Sequence, residues 1–204
     1  MRAIALAFAL AIGACAIVYN DVTAQKNPQF ASSRYRKIIV IGQFSDLRLQ
    51  QTAERGMARK CPPQVQCIPS GDVFFPGKDY TPEERLRVLQ EQMFDAVLFI
   101  TQQSSGFSQV YIPRTSSTYA TGQMTGNQFS GSASTTESGG FYMNRPHAQY
   151  QALLVDVATG EPAWMASIGA SGNVAARTND LVGSLPSEIA TQLRRDGLFM
   201  EVRK

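Results

Sequence analysis

The chain has 204 residues, 44% hydrophobic and 17% charged, and 19 Lys and Arg against 16 Asp and Glu give a formal net charge of +3. That is enough apolar material for one packed domain. The charge balance excludes a nucleic-acid binder, which would carry a basic face with interleaved aromatics.

The first element is a leader. Arg2 precedes an uncharged, alanine-rich run from Ala3 to Tyr19. A transmembrane helix takes ~20 predominantly apolar residues, and this run fits better the shorter apolar region of a secretory signal. Two cleavage sites compete. Ile12-Gly13-Ala14-Cys15 has the form of a lipobox, after which Cys15 would be acylated and become the first residue. Val22-Thr23-Ala24 has the small-residue pattern of a soluble exported protein. The expected division is a leader over 1–24, a linker over 25–36 and a domain over 37–204. Either cleavage places the protein in the periplasm, lipid-anchored or soluble.

With Cys15 acylated or removed, Cys61 and Cys67 form an even pair in Cys-Pro-Pro-Gln-Val-Gln-Cys. In an oxidising compartment this reads as a local disulfide. Two cysteines are too few for a metal site, and the spacing is not the redox Cys-x-x-Cys. No cofactor is expected.

Lys37 to Ile41 is a β-branched run ending at Gly42, the mark of a buried strand. Ser45 or Asp46 caps a helix with Leu49, Ala53, Met57 and Cys61 on one face, which Pro62-Pro63 ends. Val65 to Ile68 is a short strand. Thr81-Pro82-Glu83-Glu84 is a capping box with proline at the first helical position, backed by Leu86, Leu89 and Met93. Phe94 to Ile100 returns as a strand, and Phe107 to Ile112 is another, broken at Pro113. From Arg114 to Gly140 the chain is mostly Ser, Thr, Gly, Gln and Asn without periodicity, which predicts a long flexible loop or an irregular extended hairpin. Tyr150 to Val157 and Ala163 to Ile168 pair across Thr159-Gly160-Glu161-Pro162. Val182, Leu185, Ile189 and Leu193 mark a last helix, with Pro186 at its start or at a kink and Gly197 as its stop. The predicted order is β-α-β-α-β-β-(long polar loop)-β-β-α, a single α/β domain with a mixed sheet.

Certain words in this order resemble a loose group of Gram-negative envelope lipoproteins. They are Asn27-Pro28-Gln29-Phe30, Tyr35-Arg36-Lys37-Ile38-Ile39-Val40, Tyr80-Thr81-Pro82-Glu83-Glu84 and Phe94-Asp95-Ala96-Val97-Leu98. Leu153-Leu154-Val155-Asp156, Thr159-Gly160-Glu161-Pro162-Ala163-Trp164 and Gln192-Leu193-Arg194-Arg195-Asp196-Gly197-Leu198 complete the set. The group includes uncharacterised lipoproteins with a sheet core like that of the curli-secretion channel lipoprotein, and activators of penicillin-binding proteins. The resemblance implies a non-enzymatic role in binding or assembly, raises the standing of Cys15 as an acylated residue, and through Ala16 implies the periplasmic side of the outer membrane.

Asp95 and Asp156 could serve as catalytic carboxylates, but turn or capping roles are the simpler reading. His147 has no evident base, nucleophile or metal partner, and Gly169-Ala170-Ser171-Gly172 lacks the spacing of a nucleophile elbow. Trp164, the sole tryptophan, reads as a packing anchor first and a ligand platform second. The polar loop, with Tyr119 and Phe129, is where partner contact is expected. Read along one parity from Tyr119 to Phe129, neither face is apolar enough for a spanning strand. The leading expectation is therefore an accessory or assembly factor binding an envelope protein or glycan, with a homo-oligomer open. A subunit of an outer-membrane export channel and an unrecognised envelope hydrolase are the alternatives.

Overall fold

The computed structural model describes residues 15–75, 77–125 and 128–200. Its main sheet has six strands in the order β1-β8-β7-β4-β2-β3. These are β1 (Val18–Lys26), β2 (Lys37–Gln43), β3 (Gln66–Pro69), β4 (Ala96–Ile112), β7 (Phe141–Asp156) and β8 (Pro162–Gly172). Strands β3, β2 and β4 run parallel, and β7, β8 and β1 complete the sheet antiparallel. The mixed α/β class read from the sequence is the observed one.

Helices cover the sheet unequally. α1 (Leu47–Lys60) and α3 (Thr178–Arg195) lie on one face, where Ala53, Met57, Leu181, Val182, Leu185 and Ile189 join Ile38, Val40, Leu98, Leu154 and Trp164 in the main core. The two helices approach so closely that a Cβ on Gly56 would lie 2.5 Å from Cγ of Pro186. α3 runs through Pro186 rather than starting there. On the opposite face α2 (Pro82–Glu91) contributes Leu89 to a smaller cluster with Ile39, Phe94, Val97 and Val157. That face is therefore covered over β2 and β4 and left open over β7, β8 and β1.

Local signals act as their chemistry requires. The Asp46 carboxylate caps α1, accepting from the Arg48 N–H at 2.7 Å. The capping box of α2 is complete, with the Glu84 N–H donating to Thr81 Oγ1 and the Thr81 N–H to Glu84 Oε2. Met93 is not on the buried face expected for it; it lies past the helix end at φ 55°, 78% exposed. Cys61 and Cys67 are joined through their sulfurs, tying the end of α1 to β3.

Four features differ from the sequence reading. Val18–Lys26 is an edge strand of the sheet, with Val18, Val22 and Ala24 packed against the core, although this stretch straddles the expected leader and linker. Residues of the expected linker are likewise part of the domain, since Phe30 and Tyr35 are buried. The two strands expected at Phe94–Ile100 and Phe107–Ile112 are one 17-residue strand, β4, interrupted only by a bulge. The segment read as a flexible loop or irregular hairpin is a regular antiparallel hairpin of β5 (Thr115–Thr125) and β6 (Gln128–Ser138), in register over its whole length. Threonines spread along both strands supply β-branched propensity without a continuous apolar face, so hydrophobic periodicity misses it.

Candidate functional site

The distal halves of β4 and β7 leave the sheet together, pairing from Phe107–Pro146 to Ile112–Phe141, and β5–β6 follows them. The junction is built by glycine. Gly139 and Gly140 hold φ of 92° and 77°, and a Cβ on Gly139 would lie 2.0 Å from the Pro113 carbonyl oxygen. Arg114 and Glu137 face each other at 3.6 Å at the root of the hairpin. Between them, residues 115 to 136 contain no charged side chain. Phe107, Tyr111, Phe141 and Tyr142 stand exposed along the stem, and the Tyr111 and Tyr142 rings are 5.2 Å apart.

The register revises the parity argument. Thr125 pairs with Gln128, so the parity of one strand is joined by the opposite parity of the other. One row of cross-strand pairs is Ala120–Ala133, Gly122–Gly131 and Met124–Phe129. The alternate row is Tyr119–Ser134, Thr121–Ser132, Gln123–Ser130 and Thr125–Gln128. From position 120 to the turn, small and apolar positions thus share one row and hydroxyls and amides the other, whereas toward the root the first row continues as Thr118–Thr135 and Ser116–Glu137. Following a single parity through the turn mixes the two.

The start of β1 lies at the same end of the sheet. Val18 pairs with Gly172, Ser171 with His147, and His147 with Gly106, the level at which β4 and β7 begin to project. Asn173 fixes this end: its Nδ2 donates to the Cys15 carbonyl at 2.9 Å, and its Oδ1 accepts from the Ile17 N–H at 3.2 Å.

The sequence-derived candidates divide sharply. Tyr119 is 74% exposed on β5. Phe129 is placed only by its register opposite Met124, and its side chain lies outside the described residues. Trp164 is 1% exposed, and its Nε1 donates to Asp196 Oδ2 at 2.6 Å. Asp95 and Asp156 do meet at one surface cavity of about 500 Å³ with Tyr35. Both are occupied there. Asp95 Oδ2 accepts from the Arg36 and Lys37 N–H groups at 2.7 and 2.9 Å. Asp156 accepts from the Thr159 N–H and hydroxyl and from the Tyr35 hydroxyl. Burial first, and then the Asp156 charge, raise the Tyr35 phenol well above its ordinary pKa. His147 is exposed, with its ring over Gly106.

Sequence reasoning missed Glu54, a carboxylate only 2% exposed. Its Oε1 accepts from the Gly42 N–H at 2.9 Å, Gln50 Nε2 at 2.9 Å and Ser70 Oγ at 2.7 Å, while Oε2 takes the Gly71 N–H at 3.4 Å. It clamps α1 to the ends of β2 and β3. A glutamate within a helical pattern carries no sequence mark of such burial. Among the described residues, no group of three His, Cys, Asp or Glu side chains has the geometry to hold a metal ion.

No known protein family matches the chain, and no curated protein matches it. Among solved structures, a singly substituted PelC dodecamer from Paraburkholderia phytofirmans superimposes with a TM-score of 0.49 at 14% identity, over 86% of this chain and 98% of that one. Lipoprotein GNA1162 from Neisseria meningitidis does so with a TM-score of 0.42 at 17% identity, over 78% and 99%. At such similarity the functional reading rests on this molecule's own geometry.

Proposed function

We propose that the protein is a non-enzymatic envelope accessory and assembly factor, acylated at Cys15 and engaging its partner at the membrane surface with the projecting arm. The placement of the arm carries this reading, because it leaves the sheet at the end where Cys15 emerges. Cys15 stands three residues ahead of Val18, so an acyl chain there would hold this end within ~10 Å of the bilayer. The six distal pairs of β4–β7 and the eleven residues of β5 extend ~20 and ~37 Å along the strand direction. A domain tethered so tightly presents its arm to the membrane. Cleavage after Ala24 would instead discard Val18 to Ala24, seven of the nine residues of β1, which favours Cys15 as the start of the mature chain. The carboxylates Asp95 and Asp156 are consumed by turn and backbone donors, which favours binding over catalysis.

The register favours a second reading, a subunit of an outer-membrane export channel. Strands of eleven residues match the ~9–11 needed to span, the rows alternate from Ala120 to the turn, and the exposed aromatics of the stem suit an interfacial belt. A lone ribbon has two open edges, which hydrocarbon does not tolerate, so this reading requires arms of several copies to pair edge to edge.

Replacing residues 115–138 with a short turn tests the proposal by crosslinking in the native envelope. Loss of the crosslinked partner with an unchanged melting temperature is the expected result; full retention of the partner overturns it. Ring-shaped oligomers in detergent extracts of the intact chain support the channel reading, and strictly monomeric extracts defeat that reading alone.

A further inference from the structure

The open sheet face carries a different feature. Two adjacent cavities of about 430 and 480 Å³ lie over β1, β8 and β7, sharing Gln25 and Met165. Successive cross-strand rows on this face are Gln25–Met165–Leu153 and Thr23–Ser167–Gln151. Gln149 follows opposite Gly169, where a Cβ would lie 3.2 Å from the Gln149 amide nitrogen. The glycine leaves that amide room to lie along the sheet. The bulge in β4 leaves Gln103 unpaired between the Gln102–Tyr150 and Ser104–Gln149 pairs, and its Nε2 donates to Gln151 Oε1 at 3.1 Å. Bulges commonly re-aim a side chain beside a functional site. The Gln151 amide in turn points its Nε2 at the Met165 sulfur at 3.1 Å.

The chemistry of this lining selects a ligand class. No acidic or basic side chain lines either cavity, so an ionic ligand would be desolvated there without a counter-charge. A purely apolar ligand would cover amides and leave them unpaired. An extended peptide is recognised through main-chain hydrogen bonds at a sheet edge, whereas the backbone of β7 and β8, which floors most of this face, is paired on both sides, and only the outer side of β1 is open. Amides and hydroxyls each offer both donor and acceptor, as every sugar hydroxyl does. Leu153, Met165, Pro28 and Pro162 supply apolar ground for the C–H faces of a ring.

We propose that this groove binds a neutral glycan, with Gln25, Gln103, Gln149, Gln151 and Ser167 as its hydrogen-bonding residues. The site is separate from the arm, so it goes beyond the function proposed above and stands or falls independently.

The test is calorimetric titration of the purified full-length mature protein with cellohexaose, maltohexaose and chitohexaose, and with polygalacturonate as the anionic comparison. At least one neutral hexaose is expected to bind and polygalacturonate not to. The double variant Q149A/Q151A should weaken that binding about 10-fold or more, with no change in melting temperature. Should that variant fold poorly, Ser167→Trp, which fills the groove from an exposed position, should abolish binding in its place. Removal of the arm should leave the affinity unchanged. Failure to bind all three hexaoses, binding of polygalacturonate with equal strength, or indifference to these groove substitutions overturns the proposal.

Discussion

Two buried polar side chains make opposite contributions. Glu54 is fully engaged by four donors from three segments. Glu54→Ala strands the Gly42 N–H and the Ser70 hydroxyl in the interior, and is expected to cost ~2–4 kcal/mol in urea denaturation. Tyr150 is only 1% exposed, and its hydroxyl finds no hydrogen-bond partner among the described residues. Burial pushes its phenol up to about 12. The folded state thus keeps the proton that the unfolded chain releases near pH 10, and stability is full below pH 10 and lost as pH rises toward 12. The loss is roughly 2 kcal/mol at pH 12. Tyr150→Phe should leave stability at pH 7 unchanged or raise it by ~1 kcal/mol, and should remove this part of the alkaline decline. Tyr35 contributes a decline of the same sign, so the comparison of wild type with Tyr150→Phe isolates the one residue.

Among the elements, the arm was the least legible. The capping box at Thr81 could be read directly because its chemistry is local, and the structure contains both of its hydrogen bonds. The strands of the hairpin could not, since the two rows become visible only when Thr125 is known to pair with Gln128. The arm's connection to the sheet rests on two left-handed glycines. Gly139→Ala brings a methyl group against the Pro113 carbonyl in a conformation costly for any L side chain. Limited proteolysis should then cut faster between residues 113 and 140, while the melting temperature of the core stays unchanged. A global loss of stability would mean that arm and core fold as one unit.

For the molecule as a whole, β1 forms the edge of the sheet, and truncation through it tests the proposed start at Cys15. A chain expressed from Cys15 is expected to fold, and one expressed from Gln25 to aggregate or melt well below it by circular dichroism. The latter lacks the pairing of Val18–Ala24 with Ala166–Gly172 and exposes β8 as a new edge. Cys61→Ser should lower stability by ~2 kcal/mol under oxidising conditions and have little effect in reductant, because the bridge closes a short loop.

The sequence by itself determined the α/β class and the first two helices with their N-terminal caps, because these depend on neighbours three or four residues apart, and the order of elements gave the parallel βαβ start. It also paired Cys61 with Cys67 by count and spacing. Only the tertiary structure decided the role of Val18–Lys26, whose alternation is hidden beside an apolar leader and becomes a strand through contact with β8, some 150 residues away. The same holds for the rows of the arm, the clamp at Glu54 and the amide-lined groove. Each is a cross-strand or inter-element contact, and sheet register is fixed by partners distant in the chain rather than by any local periodicity.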